Sequence, residues 1–272
     1  MLLTVALVSV YQRGSHVPLF PRQLSQNDIT LARTLLSEWE IPFDHDTSSG
    51  RIMVTRETRA KYLPALVSAG VPTEPGFHSE ADGGEEFEDA LSAMLMTSMV
   101  KFEKSTTGHE LWLKASWLVG PEDISTVYRL LALYYPQLEL DEVQMKLDVG
   151  AGSDSESLVQ LGLLSYRESK VRQSRVQDVL DDLGARQAIG LVTVDYLPPP
   201  PVSEDDIIDS DFSRYMTREK VRVEIYVDSS DFAVEEFELL QSEVTKASGL
   251  VLERDGAITI HEIEMQGGGQ SG

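Results

Sequence analysis

Apolar and polar positions along the chain fall into blocks that switch between the helical and the strand period. Ser25 is a good helix N-cap, with Asp28 three residues on as its capping-box partner. Ile29, Ala32, Leu36 and Trp39 then mark one face of a helix that ends before Ile41-Pro42. A short strand is predicted near Pro42–Asp44, followed by the turn DTSSG and a strand over Arg51–Thr55. Val17–Phe20 supplies one more strand. A second helix runs from Arg56 to Ala69 and stops at Gly70, with Pro72 beyond.

The same order recurs twice. A helix over Phe87–Ser98 leads to a strand at Val100–Lys104, the turn STTGH and a strand over Leu111–Val119. In that strand Leu111, Leu113, Ala115, Trp117 and Val119 share a face. Gly120-Pro121 then opens a helix with Glu122 and Asp123 in its first turn and the stripe Ile124, Val127, Leu131, Tyr134. A strand over Glu142–Leu147 closes the block. The third block reads as a helix over Tyr166–Leu183, strands over Ile189–Tyr196 and Val221–Val227, a helix over Asp231–Ser248, a hairpin turn at Glu253–Gly256 and a strand over Ala257–Ile263.

The fold class predicted is therefore α+β: three serial modules of order αββαβ, each with two helices packed on one face of a three-stranded sheet, the first least complete. Module one spans 14–75, module two 84–148 and module three 158–264, with a Pro-rich acidic insertion at 197–219 and a disordered tail at 265–272. Residues Met1–Val10 are nearly all apolar, fewer than the ~20 needed to cross a bilayer. They read either as the remnant of a membrane helix within 1–13 or as a buried strand.

Charge changes the picture next. The 272 residues carry a formal charge of -22, which argues against nucleic acid as a partner. Residues 1–80 hold 7 basic and 8 acidic residues, whereas 81–150 hold 5 and 13, 151–220 hold 8 and 13, and 221–272 hold 3 and 11. The excess lies almost wholly after module one. The chain has no Cys, so disulfides, thiolate metal sites and lipid attachment through Cys are excluded.

Catalytic chemistry is nearly absent from the pattern. His16, His45, His78, His109 and His261 are dispersed, and no phosphate-binding loop, HExxH or GxSxG occurs. His261 and Glu262 point to opposite faces of a strand. The run SEDDIIDSD at 203–211 lacks the Gly and Glu of a calcium loop, and Asp181-Asp182 reads as a surface pair. No catalytic, metal or cofactor-binding residue and no small-molecule substrate is expected, and the chain reads as a non-enzyme.

Three segments carry a family resemblance. PLFPRQLSQNDITLARTLLSEWEIPFDHD with RIMVTRETRAKYLPALVSAGVP resembles the first periplasmic module of flagellar M-ring (MS-ring) proteins and of the inner-membrane ring proteins of type III secretion. ASWLVGPEDISTVYRLLALYYPQLELDEVQMKL is similar to their second ring-building module. VEIYVD, ASGL and ERDGAITIHEI resemble the end of the flagellar third module. The departures are a first membrane helix at most half present, no second one, no Cys of the lipoprotein branch and only a short insertion where the flagellar family builds a β-collar.

What the resemblance implies is a structural scaffold that assembles into a homo-oligomeric ring on the periplasmic side of the bacterial inner membrane. Its partners would be further copies of itself, the membrane and other basal-body or export components. The alternative is a soluble or periplasmic multidomain adaptor that uses the same modules without forming a ring. Candidate interface helices are 121–135 and 231–248, with Glu122, Arg129, Asp231 and Glu235 as charges that pair across the joint. In a ring the surplus carboxylates are expected to keep to solvent, the lumen or basic partners.

Overall fold

The computed structural model describes residues 16–73, 84–97, 99–105, 108–114, 119–148, 155–185, 188–197, 218–228 and 237–263. It is a mixed α+β structure with three small three-stranded sheets in series. The expectations for Met1–Val10, for most of the 197–219 insertion and for the tail fall outside the described residues.

The first sheet is built from β1 (His16–Pro18), β2 (Asp44–Asp46) and β3 (Arg51–Thr55), with β3 in the middle and antiparallel to both neighbours. Helices α1 (Gln26–Glu38) and α2 (Arg56–Ala69) bury Ile29, Leu31, Leu36, Leu63 and Leu66 with Ile52 and Val54 of β3. Ser25 caps α1 as its pattern requires, its Oγ accepting the Asp28 amide at 3.1 Å. Asp28 is itself buried, and its carboxylate accepts the Thr73 backbone N–H at 2.8 Å and the Thr73 hydroxyl at 2.9 Å. One residue thus starts α1 and holds the chain that leaves α2. The α2 C-terminus turns through Gly70 at φ 101°, a left-handed conformation that costs glycine little. The first module is therefore βαββα: its third strand comes from before the first helix, not after the second.

The second sheet has the order β4 (Val100–Ser105), β5 (Gly108–Lys114), β6 (Val143–Asp148). Its helices are α3 (Gly84–Met94) and α4 (Pro121–Tyr134). Helix α3 ends four residues before its predicted limit of Ser98, where Met96 takes φ 46°. Strand β5 starts earlier than predicted; Leu111 and Leu113 face inward as expected, and residues 115–118 lie outside the described set.

The third sheet runs β7 (Ile189–Leu197), β8 (Arg218–Asp228), β9 (Thr259–Ile263), with β8 antiparallel to β7 and parallel to β9. Val192, Val194, Val221, Val223, Ile225 and Val227 form one apolar face. Against it lie Val176 and Leu180 of α5 (Ser155–Asp182) and Leu240 and Val244 of α6 (Phe237–Ser248). The predicted hairpin turn at 253–256 is instead a short helix, α7 (Leu252–Asp255).

Helix α5 departs most from the reading of its sequence. It begins at Ser155, eleven residues before the predicted Tyr166, and runs 28 residues. Its inward polar residues bind it to the edge of β7. Ser165 Oγ accepts the Tyr196 amide at 3.2 Å, Ser169 Oγ the Val194 amide at 2.9 Å and Gln177 Oε1 the Gly190 amide at 3.3 Å. Four helical residues rise about 6 Å and two strand residues about 6.6 Å, so a helix laid along a strand meets its outward amides at this spacing. The free edge of β7 is thereby closed.

By contact the chain divides into two compact units, one of residues 1–114 with 130–144 and one of 115–129 with 145–272. Within the second unit Gly162 of α5 sits against α4: a Cβ there would collide with Ile124 Cγ2 and lie 3.0 Å from the Pro121 carbonyl oxygen. Gly162→Ala is expected to destabilise the fold by about 1–3 kcal/mol, the cost of overpacking a filled contact, read from the midpoint of urea denaturation.

Candidate functional site

Of the charges that the sequence proposes for a joint, Glu122 and Arg129 lie on α4. Helix α4 is buried on almost every side. Ile124, Val127, Tyr128, Leu130 and Leu131 are at most 1% exposed, and Ser125, Thr126 and Arg129 are buried as well. A helix with no polar face fits the interior of a packed layer.

Arg129 is 6% exposed, lies in the second unit and makes no ion pair or hydrogen bond among the described residues. Its Nη2 is inaccessible and unbonded. Burial lowers its pKa, while Tyr166 and Asp195 oppose that shift through their charge. Burial also pushes the Asp195 carboxyl above the usual carboxylate range, against the pull of Arg222 and Arg129. This burial removes Arg129 from the surface charges available to a second copy. Glu122 is exposed in the first turn of α4, its carboxylate folded over Gly120 so closely that an added Cβ there would collide with it. Asp231 and Glu235 lie outside the described residues. Of the four predicted residues the description thus covers two, Glu122 exposed and Arg129 buried on the same helix.

A different constellation is assembled in the first unit. Tyr134, in the last turn of α4, is held at both ends. Its carbonyl accepts Arg22 Nη2 at 3.1 Å across 112 residues of sequence, and its hydroxyl accepts Arg59 Nη2 at 3.2 Å. Arg59 of α2 also donates to Glu86 Oε2 of α3 at 2.7 Å. Arg22 and Arg59 are buried, so modules one and two meet through two guanidinium groups from the first and a backbone carbonyl, a phenol and a carboxylate from the second. Phe87 packs edge-on to Tyr134 at 5.6 Å and carries the joint into the second core.

The electrostatics follow the geometry. Burial works against the Arg59 charge, but the bond to Glu86 and the Tyr134 oxygen outweigh it and its pKa is raised. The bond to Arg59 holds Glu86 below the usual range in spite of some burial. Burial pushes the Tyr134 phenol up. Beside this triad lies a cleft of about 150 Å³ lined by Arg56, Arg59, Glu85, Glu86, Asp89 and Tyr134, together with Val17, Ala60 and Ala90. Nothing in the pattern of the sequence marks Arg22 or Arg59 for this role, because their partners come from a different module.

The other polar candidates stay apart. His261 stacks on Tyr226 at 4.5 Å, and its Nε2 lies 3.9 Å from Glu224. Asp181 and Asp182 are exposed near the end of α5. Among the described residues no group of three or more His, Asp or Glu is placed to hold a metal ion, and no helix is long and apolar enough to cross a membrane. No protein-family model matches the chain, and no curated protein does.

Two outcomes test these assignments. Arg129→Met should leave stability unchanged or raise it, since a buried charge that makes no direct ion pair is exchanged for a side chain of similar volume; a loss above about 1 kcal/mol in urea would show that the attraction of Asp195 outweighs the cost of burying it. For the first unit the sign comes from Glu86. Its folded pKa is depressed, so its contribution is complete above the ordinary Glu pKa and is lost as pH falls through the folded value. Wild type should therefore lose more stability on acidification than Glu86→Gln, measured by thermal melting across that window.

Proposed function

We propose that the chain is a structural scaffold that oligomerises into a membrane-associated ring, of the kind at the base of a flagellum or a type III secretion apparatus, on the periplasmic side of a bacterial inner membrane. The observation that carries this reading is the series of three small sheets, each of three strands, with helices packed against them. Modules of this shape have one helical and one sheet side, so a copy offers two different surfaces to its neighbours. Contacts between different surfaces run head to tail and close into a ring when the rotation per copy allows it. The segment resemblances suggest the particular machine, and the buried joint around Tyr134 gives a reason for modules one and two to be presented together.

The expected outcome is self-association into large closed particles as concentration rises, measured by size-exclusion chromatography with light scattering and seen by negative-stain imaging. A chain that stays strictly monomeric at high concentration, both alone and fused to an N-terminal transmembrane helix, overturns the ring and favours the adaptor.

A further inference from the structure

The cleft beside Arg59, Glu86 and Tyr134 has walls of opposite charge. Helix α2 supplies Arg56 and Arg59, and helix α3 supplies Glu85, Glu86 and Asp89. The residues that line it all belong to the first unit, so the cleft is complete within one chain and does not rest on the ring reading. Ala60 and Ala90 contribute only methyl groups to the lining, which leaves about 150 Å³ open. That volume suits a ligand smaller than those that fill pockets of roughly 300–1,000 Å³.

Arg59 and Glu86 join the two walls. Arg56, Glu85 and Asp89 are exposed and make no ion pair or hydrogen bond among the described residues. Glu85 and Asp89 are four residues apart on α3, a spacing at which like charges repel and a cation set between them is favoured.

Tyr134 adds a demand of its own. It is 7% exposed, and its hydroxyl accepts from Arg59 at 3.2 Å. A guanidinium only donates, so that bond leaves the phenol proton unused. The proton is directed at the Glu86 carbonyl at 3.5 Å, outside the roughly 2.5–3.0 Å of a good O–H···O bond. Burial pushes the phenol up, with smaller contributions from Glu86 and Asp89 against the pull of Arg59, so it remains a donor at neutral pH. A buried donor without a well-placed acceptor, in a cleft that also holds Arg56, selects an anionic oxygen.

Charge then narrows the class of ligand. Three carboxylates against two guanidiniums leave the lining one negative charge. A ligand that neutralises it carries one net positive charge. With one carboxylate for Tyr134 and Arg56, that requires two cationic groups, which is the number of carboxylates on α3 that Arg59 does not engage.

We propose that the cleft binds a free basic α-amino acid. Its carboxylate accepts from Tyr134 and Arg56, and its two cationic groups lie along α3 at Glu85 and Asp89. Arg56 comes from module one and the other three residues from module two, so the site exists only where the two modules are docked. Binding therefore stabilises the docked pair.

Isothermal titration calorimetry on the full-length chain, at matched ionic strength, reads the site. L-Lysine should bind with a Kd of about 1 mM or tighter. Cadaverine keeps two ammonium groups and lacks the carboxylate; it and L-glutamate should each bind roughly tenfold more weakly or worse. Glu85→Gln with Asp89→Asn should weaken L-lysine by about tenfold or more, and Tyr134→Phe should weaken L-lysine while leaving cadaverine unchanged. Circular dichroism reports that the variants remain folded; Arg56→Gln, at an exposed position, makes the same distinction as Tyr134→Phe without touching the buried joint. The proposal is overturned by the absence of heat at about 10 mM L-lysine, or by unchanged L-lysine binding in the Glu85 and Asp89 variant. Cadaverine binding as tightly as L-lysine also overturns it, and points instead to a basic side chain of a partner protein.

Discussion

The burial of helix α4 on nearly all sides is the constraint to which the rest of the structure is fitted. A surface helix needs one apolar stripe; α4 buries Ile124, Val127, Leu130, Leu131 and Leu133 around one half of its circumference and Ser125, Tyr128 and Arg129 around the other. Its polar residues therefore have to be absorbed. Thr126 returns its hydroxyl to the Glu122 carbonyl at 3.0 Å, Tyr134 finds Arg22 and Arg59, and Gly162 makes room for Ile124. Arg129 is the residue of this helix with a buried guanidinium nitrogen, Nη2, that finds no bond among the described residues. The predicted stripe of Ile124, Val127, Leu131 and Tyr134 is correct as a set of buried residues and misleading as a face, because both sides of the helix are covered.

How much can be read from sequence is set by the range of each interaction. Arg51–Thr55 and Arg56–Ala69 appear at their predicted bounds because cap, period and stop signal all lie within a few residues of the element they define. The first turns of α5 escape the sequence pattern because Gly, Ser and Asp around 148–157 look like a linker when only local propensity is weighed. What makes Ser165 and Ser169 good helix residues is the unpaired amides of a strand about thirty residues later. The site is less legible than the fold. The triad Arg59, Glu86 and Tyr134 joins residues 27 and 75 apart, and no periodicity connects them. A conspicuous apolar stripe draws attention to the charges on its own helix, yet the joint gathers its charges from helices with weaker patterns.

The two joints use arginine in opposite ways. Arg59 is buried with a carboxylate and a phenol that share its donors, the planar fork being matched on two of its corners. Arg129 is buried more deeply and is balanced by nothing closer than the field of Asp195 and Tyr166. A paired buried charge fixes geometry, whereas an unpaired one subtracts from stability wherever it sits. Modules one and two are thus held by a directional polar contact, while α4 and α5 meet chiefly through close apolar approach and the Tyr128–Tyr166 rings at 6.4 Å.

The ladder from α5 to β7 recognises backbone amides and is blind to the side chains of the strand it covers. Constraint on sequence in this contact should therefore fall on the helix, at Ser165, Ser169 and Gln177, while most strand positions drift as far as their own core allows. A strand displaced by two residues would satisfy the same serines, so the ladder by itself does not define where the strand stops sliding. Gly190 supplies that mark: a Cβ there would stand 2.5 Å from Val176 Cγ1, and of the neighbouring strand residues only glycine fits beside that valine. A single missing methyl group indexes the strand on the helix.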